Sequence, residues 1–160
     1  PISVNISRVD LYNPGIVDFI ISLVDKYSVP HELFQLELTE TAYMDNPQVM
    51  KQVVSGLKEN GFTVMMDDFG SGYSSLNMLK EMPLDILKMD LKFLDGEQEK
   101  GRKILKILID MAHTLNLKVV VEGVETLSQV EFLRPFGDCS IQGYYYSKPI
   151  VAEAFEELMK

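Results

Sequence analysis

Phe62-Thr63-Val64-Met65-Met66-Asp67-Asp68-Phe69-Gly70-Ser71-Gly72-Tyr73-Ser74 decides how this chain folds. It opens with a short β-rich run, Phe62–Met66, continues into two adjacent carboxylates, and passes into a glycine-rich loop, Asp68–Ser74. A short helix follows and ends near Pro83. An apolar run, a polar end and a helix together make one βα unit.

The same unit recurs in both directions. Upstream, the strands are Ile2–Ile6 and Phe34–Leu38; downstream, Ile86–Met89, Lys118–Val121 and Cys139–Gln142. Asn13-Pro14 and Asn46-Pro47 read as the N-cap and first turn of two helices. The first has Val17, Ile20, Ile21 and Val24 on one face; the second turns Val49, Met50, Val53, Val54 and Leu57 inward and stops at Gly61. Asp95–Gly101 reads as a polar loop before a helix that buries Ile104, Ile107, Leu108, Met111 and Leu115. Thr126-Leu127-Ser128-Gln129 is a capping box, and a last helix carries Val151, Phe155, Leu158 and Met159.

Six βα units in series predict an α/β fold, a parallel sheet with helices outside. An open doubly wound sheet satisfies the element count with nothing added. A TIM-like (β/α) barrel is then incomplete, because eight units need at least roughly 200 residues. The polar residues favour the barrel. Asn5, Glu37, Asp67 with Asp68, Lys88 with Asp90, Glu122 and Gln142 fall at or beside the ends of all six strands. A switch point gathers ligands from a few strand ends, whereas a ring of strands gathers them from every one.

Composition excludes several function classes. Fifteen basic against 24 acidic residues give a net charge of −9, which argues against a nucleic acid polymer or an anionic membrane surface as partner. A local pocket for one small anionic ligand remains open. The single Cys139 allows no intramolecular disulfide and fits a reducing compartment. Two histidines, read as helix-end (His31) and helix-face (His113) residues, argue against a His-rich zinc site. No apolar run approaches the roughly 20 residues of a membrane helix. The start, Pro1-Ile2-Ser3-Val4, reads as a strand rather than a signal peptide, and with no initiator methionine the chain is expected to be a piece of a longer protein.

Taken singly, each polar residue has an ordinary reading. An acid ending a strand is more often a helix cap or a turn residue, Lys88 alone reads as snorkelling, and Glu125 alone as first-turn helix charge. As a set, carboxylates converging on one mouth need cations. Oxygen donors without His or Cys suit Mg²⁺, Mn²⁺ or Ca²⁺. Asp67-Asp68 suits a pair of metals about 3.5–4 Å apart, and Lys88 then balances developing charge or orients a water. The glycine loop reads either as a plain βα turn or as a hinged lid. Of Tyr144-Tyr145-Tyr146, two read as barrel-wall packing and one is left to stack on a base.

These residues resemble the EAL domain family, the cyclic di-GMP phosphodiesterases of bacterial second-messenger signalling. The matching segments are Val4-Asn5-Ile6-Ser7, Glu37-Leu38-Thr39-Glu40, Asp67-Asp68-Phe69-Gly70-Ser71-Gly72-Tyr73-Ser74-Ser75-Leu76, Leu87-Lys88-Met89-Asp90, Glu122-Gly123-Val124-Glu125-Thr126, and Gln142-Gly143-Tyr144 followed by Ser147-Lys148-Pro149. The resemblance covers the chain from end to end. It implies one TIM-like domain over residues 1–160, hydrolysing cyclic di-GMP to linear pGpG with Mg²⁺ or Mn²⁺, two ions in all. The alternative it carries is a non-catalytic cyclic di-GMP sensor.

It implies further that Asn5, Glu37 and Asp67 hold one metal, with Asp68 and Asp90 as water-mediated or second-metal ligands. Lys88 contacts the nucleophilic water, and Glu122 is the general base or a metal-site carboxylate. Glu40 anchors the lid that contains Gly70 and Gly72; Glu125 supports; Gln142 and Tyr144 line the substrate site. A homodimer, upstream regulatory domains, a cytoplasmic location for the domain (with a parent that is sometimes membrane-anchored) and no direct membrane contact follow in the same way.

The family's Glu-Ala-Leu segment, which carries one metal ligand, and a nearby phosphate-binding arginine are not among these residues. The fragment alone is therefore expected to be inactive, with two exposed strand edges and an apolar interior that a dimer would bury. Two smaller departures are Asp138-Cys139, where the family shows Cys then Asp, and Val121 in place of the usual alanine.

Overall fold

A computed structural model describes residues 1–70, 76–94 and 98–160. Its six strands are β1 (Ile2–Asn5), β2 (Phe34–Thr39), β3 (Thr63–Asp67), β4 (Ile86–Asp90), β5 (Lys118–Glu122) and β6 (Cys139–Ile141). All pairs are parallel, and the strands lie in strict chain order, β1 to β6. A doubly wound sheet reverses its order at a switch point; this one never does. The architecture is an incomplete TIM-like barrel, with β1 and β6 as its two edges.

Eight α-helices occur among the described residues: α1 (Arg8–Leu11), α2 (Ile16–Lys26), α3 (Glu40–Asp45), α4 (Pro47–Glu59), α5 (Leu76–Glu81), α6 (Gln98–Thr114), α7 (Leu127–Leu133) and α8 (Ala152–Leu158). The strand register sorts side chains onto two faces. Leu36, Leu38, Val64, Met66, Leu87, Met89, Val119 and Val121 share one face and are fully buried. They belong to one core with Val24 of α2, Met50, Val54 and Leu57 of α4, Leu105 and Ile109 of α6, and Leu133 of α7. Each such side chain stabilises the fold by about 1.5–3 kcal/mol.

The opposite, inner face differs from the expected apolar interior. Ser3, Asn5, Gln35, Glu37, Asp67, Lys88, Asp90, Lys118, Glu122 and Ser140 lie on it by register, with Asn5, Asp67, Asp90 and Glu122 at the strand C-terminal ends. Met65, Ile86 and Val120 are apolar residues interspersed among them.

Three local expectations are corrected. The helix expected at Asn13-Pro14 starts at Ile16 with Gly15 as its cap, because the Asn13 carboxamide accepts the Gly15 N–H at 3.0 Å and closes a turn first. The expected polar loop Asp95–Gly101 overlaps α6, whose first turn is Gln98–Gly101; residues 95–97 lie outside the described residues. Finally, α6 turns Leu105, Ile109 and Ala112 inward, with Leu108 and Met111 half-buried, and leaves Ile104, Ile107 (64% exposed) and Leu115 outside. Apolar residues occur around more than one face of α6, so periodicity alone offers two stripes and tertiary contact chooses one.

His31 pins the far end of the barrel. Its Nδ1 lies 2.6 Å from the Asn60 carbonyl oxygen, its Nε2 lies 2.9 Å from Asp25 Oδ1, and its ring stacks on Phe62 with centroids 4.3 Å apart. Two acceptors on two ring nitrogens select the imidazolium. The Asn60 carbonyl and then the Asp25 carboxylate hold its pKa above the ordinary 6.5. The stabilisation is therefore complete below pH 6.5 and is lost as pH rises through the raised value. Denaturant midpoints should place His31→Gln well below wild type at about pH 6 and nearer to it at about pH 9. A gap that does not change with pH would refute the doubly protonated clamp.

Candidate functional site

The site is built around Lys88, which is only 4% exposed on the inner face of β4. Its ammonium contacts the Glu37 carboxylate from β2, lies 3.1 Å from Asp67 Oδ1 of β3 and lies 2.5 Å from Glu122 Oε1 of β5. Register explains the convergence. Glu37 pairs with Met65, two residues before Asp67; Lys88 pairs with Val120, two before Glu122. Parallel strands with a period of two thus bring all four side chains to one face near the strand ends.

The electrostatics follow from burial and count. Burial alone would discharge Lys88, but its hydrogen bonds to Glu122 and Glu37 outweigh this and push its pKa well above the usual lysine range. Lys88 is thus a fixed cation and no base. Burial pushes the Glu122 carboxyl above its ordinary 4.5, with Lys88 opposing, while Asp67 and Glu37 add like-charge repulsion. Glu122 therefore takes up a proton more readily than a free glutamate.

The other expected residues divide into those gathered at the mouth and those elsewhere. Asn5 ends β1 in register with Glu37, and Asp90 ends β4 in register with Glu122. Asp90 accepts the Lys92 N–H at 2.8 Å and pairs with the Lys92 ammonium at 2.7 Å. Asp68 follows Asp67 in the left-handed region, φ 55°, and its N–H donates to Asp67 Oδ1 at 3.0 Å, fixing that carboxylate. Glu40 is buried at the start of α3 and accepts the Gly70 N–H at 3.2 Å, where Gly70 has φ 90°. Gly72 lies outside the described residues.

Glu125 is exposed, and its N–H donates to Gln129 Oε1 at 2.8 Å in the cap of α7. Gln142 follows β6 and is exposed. Tyr144 is exposed as well, with the Lys148 ammonium 5.6 Å from its ring. A cavity of about 380 Å³ opens elsewhere, on the outer side between α2 and α4, and no titratable acid or base lines it apart from Tyr12. Reading the sequence for chemistry missed the backbone contact between Gly143 and Val124.

Among the described residues no three His, Cys, Asp or Glu side chains stand as a ready metal cage. The Lys88 ammonium instead holds the space between Glu37, Asp67 and Glu122. The donor set nonetheless fits a hard divalent cation. Three carboxylates against one ammonium leave two negative charges, and every donor is oxygen.

Comparison with known proteins gives a consistent answer. Residues 1–149 match the EAL domain family. The signaling protein YkoW of Bacillus subtilis is 38% identical over 160 residues, which cover 99% of this chain and 20% of YkoW. The probable cyclic di-GMP phosphodiesterase PdeB of Escherichia coli is 38% identical over 154 residues, 96% of this chain and 29% of PdeB. The solved c-di-GMP complex of the MucR phosphodiesterase of Pseudomonas aeruginosa superimposes with a TM-score of 0.88 at 34% identity, over 96% of this chain and 63% of that one. The chain thus spans a minor part of the curated relatives and about two thirds of the solved domain.

Proposed function

Since this chain belongs to the EAL domain family, we propose that its polar mouth hydrolyses cyclic di-GMP to linear pGpG. The observation that carries this reading is the Lys88 ammonium held by Glu37, Asp67 and Glu122 from three other strands. Such a site suits a phosphodiester, whose reaction builds negative charge on phosphoryl oxygens.

Glu37, Asp67 and Asn5 are assigned to one divalent cation, with Asp68 and Asp90 toward a second; Mg²⁺ or Mn²⁺ fits the oxygen donors. The cations, when bound, polarise the phosphoryl oxygens and make water more acidic. The chain's own residues do the rest. Glu122 accepts the proton of the attacking water while the water oxygen bonds to phosphorus. The Lys88 ammonium faces the charge that develops. The phosphorus–ester oxygen bond breaks, and the released ribose hydroxyl takes a proton from solvent. Glu40 holds the loop at Gly70. Glu125 supports α7 beside the mouth, and Gln142 and Tyr144 line the guanine side.

The same reading extends to a single domain over residues 1–160, a homodimer and upstream regulatory domains in the parent protein. It also places the domain in the cytoplasm, and no helix among the described residues is long and apolar enough to cross a membrane.

The test incubates the full-length protein with cyclic di-GMP and Mg²⁺ or Mn²⁺ and separates the nucleotides chromatographically over time. Appearance of pGpG, abolished by a chelator, is the expected result. Tight binding without pGpG would replace the enzyme by a sensor. Neither binding nor product would overturn both.

A further inference from the structure

The backbone crosses itself closely at one point beside the site. A Cβ built on Gly143 would lie 2.1 Å from the Val124 carbonyl oxygen and 2.4 Å from the Val124 nitrogen. Both neighbours are backbone, so no side-chain rotation relieves the clash. Val124 is itself fully buried, which closes off retreat. The approach serves a set of hydrogen bonds that continues the β5–β6 pairing past the strand ends. The Gln142 N–H donates to the Val121 oxygen at 2.9 Å, the Val124 N–H to the Gln142 oxygen at 3.2 Å, and the Tyr145 N–H to the Val124 oxygen at 2.9 Å. Val121 and Val124 bracket Glu122, so the backbone on both sides of that carboxylate is tied to the segment around Gly143. Gly123, between them, has φ 72°, and a Cβ there would lie 3.2 Å from Asp90 Oδ1. The Glu122-Gly123-Val124 turn is therefore confined from two directions.

We propose that Gly143 is a positioning residue: by letting its backbone lie against Val124, it holds Glu122 on the Lys88 ammonium. The inference rests on the role proposed above for Glu122. Any side chain at position 143 must force this segment and Val124 apart by more than half an ångström, since real Cβ contacts are essentially never below 3.0 Å. That displacement loosens the Val124 and Tyr145 hydrogen bonds and carries Glu122 with it. Lys88, Glu37 and Asp67 are on strands that the clasp does not touch.

The test is Gly143→Ala in the full-length protein, beside Gly137→Ala as control. Gly137 has positive φ, 73°, but nothing lies within 4 Å of its would-be Cβ. Its substitution strains the backbone without moving Val124. In Gly143→Ala, kcat should fall by about 10²-fold, the cost of misplacing a reacting group by roughly 1 Å, with KM changing far less. Gly137→Ala should keep kcat while losing thermal stability.

A second readout needs no activity. In ¹⁵N-lysine spectra, proton exchange of the Lys88 ammonium should accelerate about tenfold in Gly143→Ala, the change expected on losing one charge-assisted hydrogen bond, and stay unchanged in Gly137→Ala. Unchanged Lys88 exchange in Gly143→Ala would overturn the proposal even if the wild type proved inert toward cyclic di-GMP. An inert wild type with accelerated exchange would instead overturn the hydrolase reading and keep the positioning. If Gly143→Ala does not fold, amide exchange in the wild type decides. Slow Val124 and Tyr145 amides support the clasp, and amides as fast as free peptide refute it.

Discussion

Replacing Lys88 by methionine should lower turnover by about 10²–10³-fold, the usual cost of removing one preorganised donor from a charge-stabilising site. It should also unsettle the fold itself. Lys88 is 4% exposed, and its ammonium is shared by Glu37, Asp67 and Glu122. Methionine fills much the same space without the charge, which leaves three carboxylates facing one another. Removing one partner of a buried ion pair costs about 3–5 kcal/mol. Urea unfolding at mildly alkaline pH, without divalent metal, measures the loss. Two conditions should shrink it: acid, which protonates the carboxylates, and added Mg²⁺, which restores positive charge. A Lys88→Met protein as stable as wild type under metal-free alkaline conditions would remove Lys88 from the centre of the cluster.

Glu122→Gln should reduce kcat by about 10²–10⁴-fold, the range for loss of a positioned general base. Cyclic di-GMP affinity should stay within about tenfold of wild type, because the amide keeps the shape and one oxygen acceptor. The pH profile separates this role from a merely structural one. Only the ionised carboxylate accepts a proton, so wild-type turnover should fall as pH drops through the Glu122 pKa. Burial places that pKa above the ordinary 4.5, so the fall comes at a less acid pH than for a free glutamate. The residual activity of Glu122→Gln should lack this limb. Normal turnover in Glu122→Gln would reassign the base.

The parts of this site legible in the sequence are those where chemistry interrupts a pattern. Lys88 inside Ile86–Asp90, and Glu37 inside Phe34–Thr39, break apolar runs that a buried strand would otherwise continue. Asp67 and Glu122 end such runs. The hub role of Lys88 was not legible, because it depends on which strands are neighbours and on register. The inward stripe of α6 was hidden by apolar residues on more than one of its faces. The short helices α1 and α3, four and six residues long, were missed for a different reason. A helix of one or two turns has little periodicity to show, although in α1 Ser7 and Asp10 do form a capping box. Gly143 lies within the Gln142-Gly143-Tyr144 segment, yet a glycine in sequence does not say whether it serves a turn, a hinge or a close approach. Only the position of Val124 distinguishes these.

Strand pairing in strict chain order has a consequence for how the protein is made. Each strand leaving the ribosome finds its partner already synthesised, since every sheet contact joins a strand to the one before it. The wall can grow from one end without waiting for a distant segment, which keeps loop-closure distances short and limits the time that open edges are exposed. The site forms on the same schedule. Glu37 and Asp67 precede Lys88 in the chain and Glu122 follows it, so the growing chain gains its fixed cation before its proton acceptor. The Glu37, Asp67, Lys88 and Glu122 cluster is complete only when β5 docks, and the barrel wall is well advanced by then.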